Sequence, residues 1–340
     1  MKPTKAFTSV WSCTVFAIML IACLVVMSAA FSPALAVMKR ATPTGTIDAG
    51  YAFVNEVIIS AAVLFAFQMM RWLHREPLQS IKLTASASPY QIVIGGACGL
   101  LVLSVLEWLL HTLGVLTVGV SGQNIFWLEH VGVMWAICFL LTGLCEEAVF
   151  RGYLLETLAN GIGFWPAALI TSGLFAAIHT GNNGENVSGL LTCGVYAILF
   201  ALSVRVTGRI WYAVGFHAGW DWAETFVFGT ANSGLRGEGH LLITEVHGSH
   251  WISGGSVGPE GSVVAMAIAG ILILALWQYY RRGQKDNPVL ADPAQWKTSK
   301  QTARLLPDVA PATICAATPG RQGHPGQSVC EPLRDSQRIA

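Results

Sequence analysis

The sequence has 340 residues, 53% of them hydrophobic and 11% charged, against about a quarter charged in ordinary soluble domains. That balance excludes a water-soluble globular enzyme, and a formal net charge of +1 gives no basis for a nucleic-acid partner or an acidic substrate. Apolar residues come in blocks, several of which reach the ~20 residues needed to cross a bilayer as a helix. The expected class is an all-α, polytopic membrane bundle of about eight transmembrane helices.

The first block, 9–30, follows Lys2 and Lys5 and precedes Ala34-Leu35-Ala36, which resembles a signal-peptide cleavage site. Its apolar core exceeds the ~7–15 residues of a signal h-region, so a retained helix is expected. Further blocks follow at 51–71, 91–118, 131–158, 164–181, 187–206, 210–229 and 261–280. Arg71, Arg75 and Lys82 follow the second block, Arg205 and Arg209 the sixth, and Arg281, Arg282 and Lys285 the eighth. Positive charge marks those loops, and both termini with them, as cytoplasmic, in a cell membrane. The intervening loops 119–125 and 181–186 contain no Lys or Arg, while Lys39 and Arg40, on the expected outer side, break the alternation. The expected organisation is N-terminal membrane helices over 1–90 and a core over 91–229. An extracytoplasmic loop with the last membrane helix follows over 230–282, and then a disordered tail over 283–340 rich in Pro, Gly, Ser and Thr. The eight cysteines show no CxxC spacing, which leaves neither a zinc knuckle nor a redox pair.

The fourth block contains "CEEAVFRG", with Glu146 and Glu147 near its middle. An ionisable side chain at bilayer depth costs at least ~2.5–3.5 kcal/mol, so each needs a partner, a cavity or a task. Glu147 and Arg151 are four apart and share a helix face, whereas Glu146 projects about 100° away. One carboxylate is anchored and the other is free. A buried structural ion network is the plain alternative, but it leaves two further constellations unexplained. Phe175 and His179 lie four apart at the end of the fifth block, and His217, Asp221 and Glu224 follow at i, i+4 and i+7 in the seventh. Three helices therefore supply acids and imidazoles of the kind that hydrolyse an amide. A carboxylate accepts a proton from water, and imidazoles position that water or donate to an oxyanion. HExxH does not occur, so the soluble zinc-protease signature is missing.

The ordered motifs "EEAVFR", "FAAIH" and "HAGWD" resemble EExxxR, FxxxH and HxxxN/D of the type II CAAX prenyl endopeptidases and the bacteriocin-processing and self-immunity membrane proteases. The resemblance covers about residues 131–229. It implies an all-helical intramembrane endopeptidase with its active site in a cavity open to the cytosol. By this resemblance Glu146 is the base that activates water and His179 helps to polarise it. Glu147 and Arg151 are the supporting pair, and Phe175 shapes the pocket. His217 and Asp221 stabilise the oxyanion, or else ligate a metal. Position 221 is Asp where Asn is the simpler donor, and an ionised Asp cannot donate a hydrogen bond. It either orients His217 or joins Glu146, His179 and His217 as ligands, a set that suits Zn²⁺. The reading leans to glutamate-activated water with no certain cofactor. The expected partners are membrane lipids and a membrane-associated or lipidated peptide.

Glu107 and His111 form another acid–imidazole pair at i, i+4, while Glu56 reads as an interfacial residue. The loop holding His240, Glu245, His247 and His250 reads as solvated and on the side opposite the cavity. Two rival classes are a proton-coupled carrier, which also uses intramembrane acids, and a non-catalytic immunity-type membrane protein.

Overall fold

The computed structural model describes residues 4–40, 46–74, 88–182 and 184–286. Arg75, Lys82 and, from residue 287 onward, the expected tail lie outside the described residues. Helices dominate. In chain order they are α1 (Lys5–Arg40), α2 (Ala49–His74), α3 (Pro89–Thr112) and α4 (Ile125–Glu147), which runs through a π-helical turn, Ala148–Leu154, into α5 (Leu155–Ile162). Then come α6 (Phe164–Ile178), α7 (Val187–Thr207), α8 (Trp211–Trp222) with a second π-helical turn at Ala223–Phe228, α9 (His250–Ser253) and α10 (Val263–Asp286). Two small strand pairs sit outside the bundle. β1 (Thr46–Ile47) runs parallel to β3 (Arg236–Gly237), and β2 (Leu116–Val120) pairs antiparallel with β4 (Leu242–Val246).

Among the described residues six helical runs are long and apolar enough to cross a membrane: α1, α2, α3, α4 with α5, α7 and α10. The two other expected spans exist as helices but are not among these six. α6 has 15 residues, or roughly 22 Å of helix against a ~30 Å hydrocarbon core, and α8 has 12 before its π turn carries the helix on to Phe228. These two helices carry the histidine motifs. α1 packs as a bundle member, with Phe16 fully buried against Phe67 and Tyr153 at ring separations of 5.1 and 4.3 Å.

Helix ends follow local sequence. Asn124 caps α4 by accepting from Phe126 and Trp127 N–H, Asn186 caps α7 by accepting from Gly189 N–H, and Gly208 closes α7 at φ 72°. The crossing of α3 and α8 depends on glycine. Gly95 and Gly99 face the Tyr212 and Phe216 carbonyls, and Gly215 and Gly219 face Ile92 and Gly96, so a Cβ at any of the four would overlap backbone. Small residues four apart let membrane helices approach this closely. On the other flank Gly143 of α4 faces the Val214 carbonyl and the Cβ of His217. The histidine helix is therefore fixed between α3 and α4.

The sequence alone poses a depth problem, because Glu146 falls mid-span while His179 ends its helix. The α5–α6 hairpin resolves it. From Glu146 to the Gly163 turn the chain runs ~25 Å, and from there back to His179 ~24 Å, at ~1.5 Å per residue. The two residues return to one level, and Phe150 and Phe175 meet edge-to-face at 5.0 Å.

Candidate active site

Glu147 and Arg151 form the buried pair that their spacing implies. Arg151 Nη1 lies 3.0 Å from Glu147 Oε1, with the side chains 2% and 0% exposed. The guanidinium also sits over the rings of Phe175 and Phe200, at 4.4 and 5.4 Å, where ring faces attract cations. Glu146 diverges as expected, and its side chain is 29% exposed.

His217 gathers the carboxylates. Its Nδ1 is 3.2 Å from Glu147 Oε1, and its Nε2 is 3.7 Å from Glu146 Oε2 and 3.5 Å from Asp221 Oδ2. His179 sits at the end of α6, where its Nδ1 is 2.7 Å from the Phe175 carbonyl. A carbonyl only accepts, so Nδ1 carries the proton and Nε2 of the neutral ring is left as an acceptor. Glu146, His179, His217, Asp221 and Phe175 line one cavity of about 420 Å³. Glu147 and Arg151 lie behind its wall.

Several expectations change. Glu224 does not join His217 and Asp221. The helix passes into its π turn at Ala223, and Glu224 is fully buried in the core, accepting from Trp220 Nε1 at 3.2 Å. Glu107 and His111 do not pair either. Thr230 Oγ1 donates to Glu107 Oε1 at 3.2 Å, and His111 Nδ1 donates to the Leu116 carbonyl at 3.0 Å. Neither lines the cavity. Glu56, read as interfacial, is on the cavity wall. His240, Glu245, His247 and His250 stay off the wall, but flanking parts of their loop, including Asn232, Arg236 and Glu260, line it. That loop is not opposite the cavity.

Sequence reasoning missed Asn232 and Glu260. A tight turn joins them to the site: Asn232 N–H donates to the Leu235 carbonyl at 2.8 Å, and Leu235 N–H returns to Asn232 at 2.9 Å. Ser233 at φ 46° and Gly234 at φ 80° give it the hairpin hand. Ser233 donates both its N–H and its hydroxyl to Glu260 Oε1, locking the turn. On the cavity wall the Asn232 side chain faces the Asp221 carboxylate, and Tyr196 Oη is buried and has no hydrogen-bond partner. An acidic residue between turn formers, "GPEG", was the available signal in a chain so poor in charge.

Burial pushes the Glu260 carboxyl up to about 7, and Asp221 adds to this while the Ser233 bonds and His179 oppose it. The folded protein thus holds that proton to a higher pH than the unfolded chain does. The stability this gives is complete at low pH and is lost as pH rises through about 7. Melting temperature is therefore expected to fall between about pH 4.5 and about pH 7 and to level off above that, and Glu260→Gln should flatten that dependence. An unchanged slope in the variant would remove Glu260 as its source.

The four candidate ligands do not fit a metal. Among the described residues no group of three His, Cys, Asp or Glu side chains is placed to hold an ion. Residues 128–223 match the family model described as type II CAAX prenyl endopeptidase Rce1-like. No curated protein matches the chain.

Proposed function

We propose, from the match of residues 128–223 to the Rce1-like type II CAAX prenyl endopeptidase model, that this chain hydrolyses a peptide bond of a membrane-associated or lipidated segment with water activated by Glu146. The supporting observation is that Glu146 shares one cavity with His179 and His217, each from a different helix. The membrane is proposed to be the cell membrane, with both termini cytoplasmic.

Glu146 takes a proton from water as the water oxygen attacks the scissile carbonyl carbon. His179 Nε2 accepts the second hydrogen of that water and fixes its direction. The carbonyl oxygen becomes an oxyanion, for which His217 is the donor, with the Asn232 amide beside it at Asp221. Asp221 cannot donate when ionised, and it orients His217 Nε2 from 3.5 Å. As the C–N bond breaks, Glu146 passes its proton to the leaving amine, giving one new carboxylate and one new amine. Glu147 holds His217 Nδ1 at 3.2 Å and is itself held by Arg151 at 3.0 Å. A thiol nucleophile is disfavoured, because Cys145 is buried off the cavity wall and donates to Ser60 Oγ at 3.2 Å.

The test is turnover by the purified protein in lipid nanodiscs on quenched peptides, half carrying a farnesyl group. Cleavage is expected for peptides that partition into the bilayer, faster than for their unlipidated counterparts. No cleavage of either class would overturn the reading.

A further inference from the structure

The cavity is lined by loop residues from one end of the bundle, and the two ends differ in charge. At one end the start of α1, the α5–α6 turn and the ends of α7 and α10 meet. Gly161 lies against Ala6 and Ser9, the Arg205 guanidinium sits 4.4 Å over Phe164, and Arg205 Nε donates to Tyr280 Oη at 3.1 Å. The end of α2 joins them, since Phe67 packs on Phe16 of α1. Arg71, Arg205, Arg209, Arg281 and Arg282 belong to this end, and Arg75 and Lys82 adjoin it in sequence.

The other end is tied together by different bonds. Thr46 Oγ1 donates to Glu238 Oε1 at 2.8 Å, Ser256 Oγ donates to the Gly184 carbonyl at 3.0 Å, and β2 pairs with β4. In the sequence of its segments, 37–50, 112–127, 178–188 and 229–262, Lys39, Arg40 and Arg236 are the only Lys or Arg. The cavity belongs to this end. Ile47, Asn182, Glu185, Asn232 and Glu260 line it, as does Leu235, which is 48% exposed, and among the described residues none of the lining comes from a loop at the arginine-rich end.

Lys and Arg in short loops mark the cytoplasmic side of a membrane protein. Resting on the endopeptidase reading above, we infer that the cavity opens on the extracytoplasmic face. Its substrate is then an exported peptide or the extracytoplasmic segment of a membrane-anchored protein, and not a lipidated tail in the cytosol. The segment reaches Glu146 by passing between the start of α2, the α6–α7 connection and the Asn232–Leu235 turn, all of which contribute to the wall.

Sealed membrane vesicles of known orientation, carrying the full chain, test this twice over. A membrane-impermeant maleimide is expected to label Leu235→Cys above the wild-type background in right-side-out vesicles, and Arg209→Cys only after permeabilisation. The reverse pattern would overturn the inference. In the second arm the wild-type chain receives a quenched peptide from outside. Right-side-out vesicles should cleave it equally before and after permeabilisation, whereas inverted vesicles should cleave it only afterwards. Glu146-dependent cleavage confined to the inverted vesicles would sink the sidedness and leave the endopeptidase standing. Absence of Glu146-dependent cleavage even in permeabilised membranes would defeat the endopeptidase, and the labelling would still decide where the cavity opens.

Discussion

Replacing Arg151 by methionine is expected to destabilise the protein by about 3–5 kcal/mol, the cost of leaving a buried charge without its partner. The abandoned charge is Glu147, fully buried and otherwise facing only His217 Nδ1 at 3.2 Å. The variant also loses the guanidinium contacts with Phe175 and Phe200, which carry Phe175 of α6 and Phe200 of α7 against the π turn. A double variant, Glu147→Leu with Arg151→Met, should recover much of that stability, because well-packed apolar residues often replace a buried pair at no net cost. It should not recover turnover, because His217 then lacks the carboxylate that holds its Nδ1. Thermal melting of the four combinations in one detergent gives the cycle, and a loss below about 1 kcal/mol in the single variant would show that the pair behaves like an exposed one.

The second large effect is on rate. His217→Gln is expected to lower kcat by about 10²–10³, the usual loss when a donor to a developing oxyanion is removed, with KM changed only a few fold. The reason lies in its surroundings, where Glu146, Glu147 and Asp221 all approach the ring within 3.7 Å. Two of its N–H positions face carboxylates, an arrangement that an imidazolium satisfies from both sides of the ring. A glutamine amide cannot span the same three oxygens. A rise in KM with kcat intact would move His217 from the reaction to substrate binding.

Local geometry made part of this site legible in the sequence. Glu147 and Arg151 are four residues apart, and neither tertiary contacts nor the π turn prevents them from meeting at 3.0 Å. The divergence of Glu146 follows from the same helical angle. His217 and Asp221 likewise share a face within regular helix, whereas Glu224, one position beyond the start of the π turn, does not. A switch from α to π changes the angle per residue, and no composition signal announces it. Glu56, Asn232 and Glu260 enter the wall from a helix start and two turns, so their meeting depends on the path of the whole chain. Hydropathy identified a polytopic helical bundle, but it could not indicate that the stretch after residue 229 folds back over the cavity.

The most direct measurement is product analysis by mass spectrometry for the reconstituted wild-type protein and for Glu146→Gln, side by side in ¹⁸O-labelled water with matched folding controls. The expected result is a new amine and a new carboxylate bearing one ¹⁸O from the wild type, with the rate lowered by about 10²–10⁴ in the variant, as loss of a general base requires. Equal cleavage by the two proteins, or none by the wild type on any membrane-partitioned peptide, would contradict water activation by Glu146.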